Sequence, residues 1–169
     1  AVARALGLEA DDLDAGAPPE VWSAGNPFLI VALRDLTALG RARLSLERTG
    51  PWLDPAHRAV LAFVPGEGGG PVRCRMFGES LGVVEDPGTG SAHGPLAAYL
   101  VRHGLAKAPS AGATTVLESR QGVEMGRPST LHLRLRALPA GATREEGRAD
   151  VAVEVGGTAV PVLEGRLLA

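Results

Sequence analysis

Residues 85–93 read EDPGTGSAH and lead directly into the apolar run GPLAAYLVRHGL, residues 94–105. A residue that precedes a proline avoids helical backbone angles, so Asp86 is predicted to end an extended segment. Gly88 and Gly90 permit backbone angles and close approaches that a Cβ would block. The sequence therefore predicts a tight loop with an acidic residue at its start and a helix immediately after it.

The predicted helix covers residues 92–104, with Thr89 and Ser91 as its candidate caps and Gly104 as its stop. The free N–H groups at such a helix start, together with the helix dipole, favour an anion. One carboxylate would then lie beside a cradle for a carboxylate or phosphate. The helix is indicated by residues that recur at i, i+3 and i+4 spacing: Ala92, Leu96, Tyr99, Leu100 and His103.

The composition narrows the class of protein. The 169 residues are 45% hydrophobic, which suits one domain with a sizeable core, and a net charge of −2 makes nucleic acid a poor partner. No apolar run approaches the ~18 residues of a membrane helix. Cys74 is the single cysteine, so a disulfide is excluded within the chain and a zinc site is not expected. We therefore expect a cytoplasmic protein with no membrane partner.

Seven strands are predicted, together with helices over 35–48 and 92–104. The unbroken apolar run 28–33 is typical of a strand buried on both faces, and Leu131, Leu133 and Leu135 are predicted to point inward from an alternating strand. Residues 1–8 are expected to be the end of a helix and residues 139–146 a polar hairpin loop. The strands are predicted at 28–33, 59–64, 72–77, 114–120, 130–137, 150–155 and 158–168.

This element pattern predicts an α+β fold, with one mostly antiparallel sheet around the central helix 92–104. Within strand 72–77, Cys74 is expected to face the core as an inert thiol. Arg75 is expected to lie on the opposite face and to pair with Glu85 or with a substrate carboxylate, of which the ion pair with Glu85 is favoured.

Three blocks in order carry a resemblance to a known family: RMF at 75–77, EDPGTGSA at 85–92 and QGVEMGRPS at 121–129. They resemble the PhzF-like phenazine-biosynthesis proteins, whose wider relatives are diaminopimelate epimerase and proline racemase. The resemblance implies one half of a two-lobed fold, each lobe a sheet around a central helix, with the active site between them. It assigns residues 1–20 to the tail of the first half and a linker, and residues 21–169 to the second, C-terminal domain.

The resemblance implies a cofactor-independent isomerase or epimerase that moves a proton on a small carboxylated metabolite. In this family a glutamate of the first half usually handles the proton, and it has no counterpart here, so this segment alone is expected to be incomplete. In the epimerase relatives a cysteine stands near the place of Asp86, so thiol chemistry is not expected. The resemblance implies Asp86 and Ser91 as catalytic residues, and Gly90, Ser91, Ala92, Asn26 and Gln121 as substrate-binding residues.

Each candidate also has a purely structural interpretation. Asp86 and Ser91 are ordinary cap residues, Asn26 lies in a Gly-Asn-Pro turn, and Gln121 belongs to a turn from which it could reach the cleft. His93 suits a packed or solvent-facing position better than one in the cleft. A dinucleotide loop is a minor alternative, because His93 stands where that motif needs its third glycine.

The alternative for the whole chain is a non-catalytic module that binds small anions or serves assembly. The first half of the same fold is the expected partner. Because half of a two-lobed fold would leave apolar surface exposed, a homodimer is the second expected partner.

Overall fold

The strands form a single sheet in a computed structural model that describes residues 1–49, 59–78, 82–139 and 151–165. The helices are α1 (Val2–Ala5), α2 (Leu36–Arg41), α3 (Leu46–Thr49) and α4 (Gly90–Arg102). The strands are β1 (Glu20–Ser23), β2 (Pro27–Ala32), β3 (Val60–Val64), β4 (Val72–Gly78), β5 (Val83–Asp86), β6 (Thr114–Gln121), β7 (Ser129–Ala137) and β8 (Val151–Gly156).

The unbroken apolar run of β2 is explained by cores on both faces of the sheet. On one face, Phe28 and Ile30 pack with residues of α4 such as Leu96. On the other face, Leu29 and Val31 pack with residues of α1 and α2. A strand covered on both sides has no polar face, so its sequence does not alternate.

The sheet is mixed, with the strand order β1-β2-β3-β4-β6-β7-β8 and β5 paired to β4 beside that path. The pairs β2–β3 and β4–β6 are parallel, and the remaining pairs are antiparallel. Helix α4 contacts both β1 and β8, which are the two ends of the strand order, so the sheet is curled. A sheet wrapped around a central helix as half of a two-lobed fold stays a prediction, as does the domain boundary at residue 20.

Three predicted elements differ from the structure, and two observed strands were not predicted. The helix over 35–48 is broken, because Ala42 leaves helical angles and the N–H groups of Arg43 and Ser45 donate to carbonyls of Leu6 and Ala5. Residues 158–165 form no strand, and 166–168 lie outside the described residues. The short strands β1 and β5 were not predicted, and α4 runs over 90–102 instead of 92–104.

Most of the predicted polar loop, residues 140–146, also lies outside the described residues. Among the described helices, none is both long enough and apolar enough to cross a membrane.

The two strands β5 and β6 share one edge of β4 and run toward each other along it. Parallel β6 pairs with Val72 to Cys74 and ends with Gln121 opposite Cys74. Antiparallel β5 pairs with Gly78 and Met76 and ends with Asp86 opposite Met76. The carboxyl ends of both strands therefore meet within two residues of β4, and the loop after Asp86 begins at this junction.

Candidate functional site

The loop after β5 is held by the side chain of Gln121, which is fully buried. Its Oε1 accepts the Thr89 N–H at 3.1 Å. Its Nε2 donates to the Asp86 carbonyl at 2.5 Å and to Thr89 Oγ1 at 3.0 Å. Since these hydrogen bonds all go to the loop, Gln121 sets the loop's conformation directly.

Thr89 in turn orients the side chain of Asp86. Because Gln121 donates to Thr89 Oγ1, the single hydroxyl proton of Thr89 is free to donate to Asp86 Oδ2, at 2.5 Å. Thr89, one of the two predicted caps, is the N-cap residue of α4, but the helix start has no side-chain cap hydrogen bond. Asp86 is half-buried, and one of its carboxylate oxygens is oriented by the loop itself.

Gly122 allows the turn after β6 to pack against the loop. It has a φ of 77°, and a Cβ there would lie 2.3 Å from the Arg127 carbonyl oxygen and 2.8 Å from that of Pro87. Both contacts are with backbone, which cannot move aside cheaply. Glycine is therefore required here, and the block at 121–129 and the block at 85–92 form one packed unit.

The start of α4 offers donors to the outside. Gly90 and Ser91 are exposed, and within the described part of the chain their N–H groups have no acceptor. Ala92 is buried and its N–H already donates to the Thr89 carbonyl at 3.1 Å. Two free N–H groups and the positive end of a 13-residue helix therefore lie just after Asp86.

A buried ion pair anchors the other side of Asp86. Arg75 is 2% exposed and donates from Nε and Nη2 to the two carboxylate oxygens of Glu85, at 2.8 and 2.7 Å. Its Nη1 donates to the carbonyls of Leu39 and Ala42 at 2.9 and 2.8 Å, at the end of α2. The predicted Arg75–Glu85 pair is confirmed, and it joins the strand that carries Asp86 to the point where the predicted helix breaks.

Asn26 lies in the exposed turn between β1 and β2. A Cβ on Gly94, in the early part of α4, would lie 3.8 Å from the Cβ of neighbouring Ala24. This turn therefore lies beside the first part of α4. Its contact with a substrate stays a prediction, as do the roles of the other named site residues.

His93 packs inside the protein beneath the loop. Its ring atom Nδ1 lies 2.8 Å from the Thr89 carbonyl, and Nε2 lies 2.8 Å from Ser119 Oγ. Burial lowers the pKa of His93, although the hydrogen bond to Thr89 opposes this. The sequence reasoning missed Ser119, yet a signal was present: Ser119 and Gln121 are polar residues two apart on one face of a strand.

Cys74 contacts Ser119 and is fully buried. Burial raises the pKa of the Cys74 thiol to about 12, and the hydrogen bond with Ser119 offsets this only in part. The core-facing position predicted for Cys74 is confirmed. Within the described ranges, no three His, Cys, Asp or Glu side chains cluster closely enough to hold a metal ion.

These features define a class of site: a carboxylate beside an open helix start, both held by buried polar side chains from a neighbouring strand. Such an arrangement suits a small ligand that carries an anionic group. The chain belongs to the phenazine biosynthesis-like protein family (PhzC-PhzF), whose family model matches residues 1–165.

Two relatives from pseudomonads are named trans-2,3-dihydro-3-hydroxyanthranilate isomerase. The chain is 35% identical to that of Pseudomonas chlororaphis, with 98% of this chain and 51% of the relative aligned. It is 36% identical to that of Pseudomonas aeruginosa, with 96% of this chain and 50% of the relative aligned. The chain therefore spans about half the length of the curated relatives it matches.

Solved structures agree on the fold. A predicted epimerase from Pseudomonas aeruginosa has a TM-score of 0.60 at 34% identity, over 97% of this chain and 51% of that one. A PhzF-family protein from Bacillus anthracis has a TM-score of 0.68 at 21% identity, over 93% of this chain and 50% of that one. The latter likeness shows the fold alone.

One narrower prediction needs correction. The assignment to the C-terminal half is not supported, since the family model matches from residue 1 and the two pseudomonad relatives align with nearly the whole chain. That this segment alone is incomplete stays a prediction, since the chain aligns with only 51% and 50% of these two relatives. The expected partners, which were a first half of the fold and a second copy, stay predictions, as does the cytoplasmic location.

Proposed function

We propose that this protein is an isomerase that moves a proton on a small carboxylated compound. The observation that carries the proposal is the juxtaposition of an oriented carboxylate and two free helix-start N–H groups. Asp86 exchanges a proton with a carbon of the substrate. The backbone donors of Gly90 and Ser91 hold the substrate carboxylate, so that the reacting carbon is presented to Asp86.

The proposed proton transfer requires no oxidant or reductant. The Asp86 carboxylate accepts a proton from one substrate carbon, and a proton returns to a different position as the double bond shifts. A positioned acid or base of this kind contributes ~10²–10⁴-fold to the rate. Ser91 supplies its N–H and, from the first turn of the helix, its hydroxyl; Asn26 approaches the same region from the neighbouring turn.

The relatives support this class of reaction and suggest a first probe. Two of them are named for the isomerisation of trans-2,3-dihydro-3-hydroxyanthranilate, which carries a carboxylate on a small ring. We propose a substrate of similar kind: a small, unsaturated carboxylic acid.

Deuterium uptake tests the proposal. The natural protein is incubated in D2O with trans-2,3-dihydro-3-hydroxyanthranilate and a panel of small unsaturated carboxylic acids, and incorporation at carbon is followed by NMR and mass spectrometry. In the Asp86→Asn variant we expect turnover to fall ~10²–10⁴-fold. The melting temperature should change little, because an asparagine oxygen still accepts the Thr89 hydroxyl.

The matched control is Glu118→Gln, which removes the same charge from an outward-facing position on β6 and should leave turnover unchanged. Uptake by the wild type that persists in Asp86→Asn would refute the role of Asp86. Carboxylate binding by the wild type with no deuterium uptake from any compound would refute the isomerase and favour the non-catalytic anion-binding alternative.

A further inference from the structure

Three fully buried residues form a chain of polar contacts that ends on the loop. Cys74 Sγ lies 3.2 Å from Ser119 Oγ, and Ser119 Oγ lies 2.8 Å from His93 Nε2. His93 Nδ1 lies 2.8 Å from the Thr89 carbonyl oxygen. The three side chains are 0% exposed, so water does not compete for these contacts.

The chemistry of the groups gives each hydrogen bond one direction. A carbonyl only accepts, so His93 Nδ1 carries the proton and donates to Thr89. Because burial keeps the ring neutral, Nε2 is an acceptor and takes the hydroxyl proton of Ser119. Ser119 has no second proton, so the Cys74 thiol donates to Ser119, as a thiol of raised pKa can.

Thr89 is therefore held at each of its polar atoms. Its N–H is bound by Gln121, and its carbonyl accepts from His93 and from the Ala92 N–H, while its hydroxyl receives from Gln121 and donates to Asp86. Gln121 and His93 reach Thr89 from different elements, a strand and a helix. The two contacts fix the Thr89 backbone on both sides and so fix the direction of its hydroxyl.

We propose that His93 is a positioning residue: with Ser119 and Cys74 behind it, it holds the Thr89 carbonyl and thereby orients the carboxylate of Asp86 toward substrate. This inference rests on the proposed function for its catalytic consequence. It differs from a purely structural role for a packed histidine, because it requires a donor at the Nδ1 position specifically. Burial or volume alone does not meet that requirement.

Two amide substitutions separate these roles. In His93→Asn the side-chain nitrogen is placed near the former Nδ1 and still donates to Thr89. In His93→Gln the amide is placed near the former Nε2, so it reaches Ser119 and leaves the Thr89 carbonyl with the Ala92 N–H as its remaining donor. Both replacements are neutral amides of similar polarity, which makes each the control for the other.

The first measurement is hydrogen exchange at the Thr89 amide, with the Ile30 amide in β2 as the internal reference. In His93→Gln, the loss of one hydrogen bond to Thr89 is expected to increase the exchange rate of the Thr89 amide about three- to tenfold relative to that of the Ile30 amide. The same variant should lower kcat by a similar factor, with a smaller change in KM. In His93→Asn, the Thr89 exchange rate and kcat should both return toward those of the wild type.

The second measurement needs no substitution. Nitrogen NMR of the wild-type protein should show the His93 proton on Nδ1, whereas a proton on Nε2 alone would overturn the inference. Equal Thr89 exchange in the two variants, or a rise matched by Ile30, would also overturn it. A wild type that exchanges no substrate proton refutes the proposed function alone, because the tautomer and the Thr89 exchange still decide the role of His93.

Discussion

Replacing Gln121 by leucine should destabilise the protein out of proportion to the small change in side-chain volume. The amide of Gln121 makes three hydrogen bonds to the loop, each with a net value of about 0.5–1.5 kcal/mol. Leucine removes all of them and leaves the buried Thr89 N–H without its acceptor. Added apolar burial offsets part of the loss, so we expect a decrease of about 2–4 kcal/mol in the free energy of unfolding.

Urea unfolding followed by far-ultraviolet circular dichroism measures this change. For a domain of this size the same loss corresponds to roughly 4–16 °C in melting temperature. The control is Arg120→Leu on the adjacent, outward-facing position, where an exposed ion pair with Glu118 contributes about 1 kcal/mol or less. If Gln121→Leu unfolds within about 0.5 kcal/mol of this control, the loop does not depend on Gln121 and the account of the site is wrong.

Two further predictions concern buried charge. Arg75→Met should lower the free energy of unfolding by about 3–5 kcal/mol in urea titrations, because Glu85 loses its partner. The control Arg134→Met, in an exposed ion pair, should change the free energy of unfolding by less than about 1 kcal/mol. Equal effects of the two substitutions would contradict the anchoring role of Arg75. Because the pKa of His93 is lowered in the folded state, below about pH 6.5 the unfolded chain binds a proton that the folded chain does not bind. The free energy of unfolding should therefore decrease as the pH is lowered, by at most about 1.4 kcal/mol per pH unit. Unfolding titrations between pH 7 and 5 should show this slope in the wild type and not in His93→Asn; the same slope in both would refute it.

Several elements follow from local sequence because their causes are local. The apolar runs of β2 and β3 predicted buried strands, and the alternation of β7 predicted Leu131, Leu133 and Leu135 as inward residues, all of which are buried. The helix after the loop was predicted to within two residues at each end. These signals depend on residue type and spacing alone.

The errors have causes outside the local sequence. The apolar spacing of 35–48 favoured one helix, but Arg75, more than 30 residues later, takes the carbonyls near its middle. Thr89 has the residue type of a helix cap, yet its hydroxyl donates to Asp86 because Gln121 already occupies the oxygen from the other side. β5 was not predicted because it is short and half-exposed. It is a strand because it pairs with β4, and its own sequence has no clear strand pattern.

By itself, the sequence determined that an acidic residue ends an extended segment, that glycines and a proline shape the turn after it, and that a helix with open N–H groups follows. Those features arise from backbone preferences that act over a few residues. Only the tertiary structure decided which oxygen of Asp86 is oriented and by what. That choice depends on Gln121, 32 residues beyond Thr89. Its side chain reaches the loop because β6 ends opposite Cys74 and β5 ends opposite Met76, two residues apart on β4.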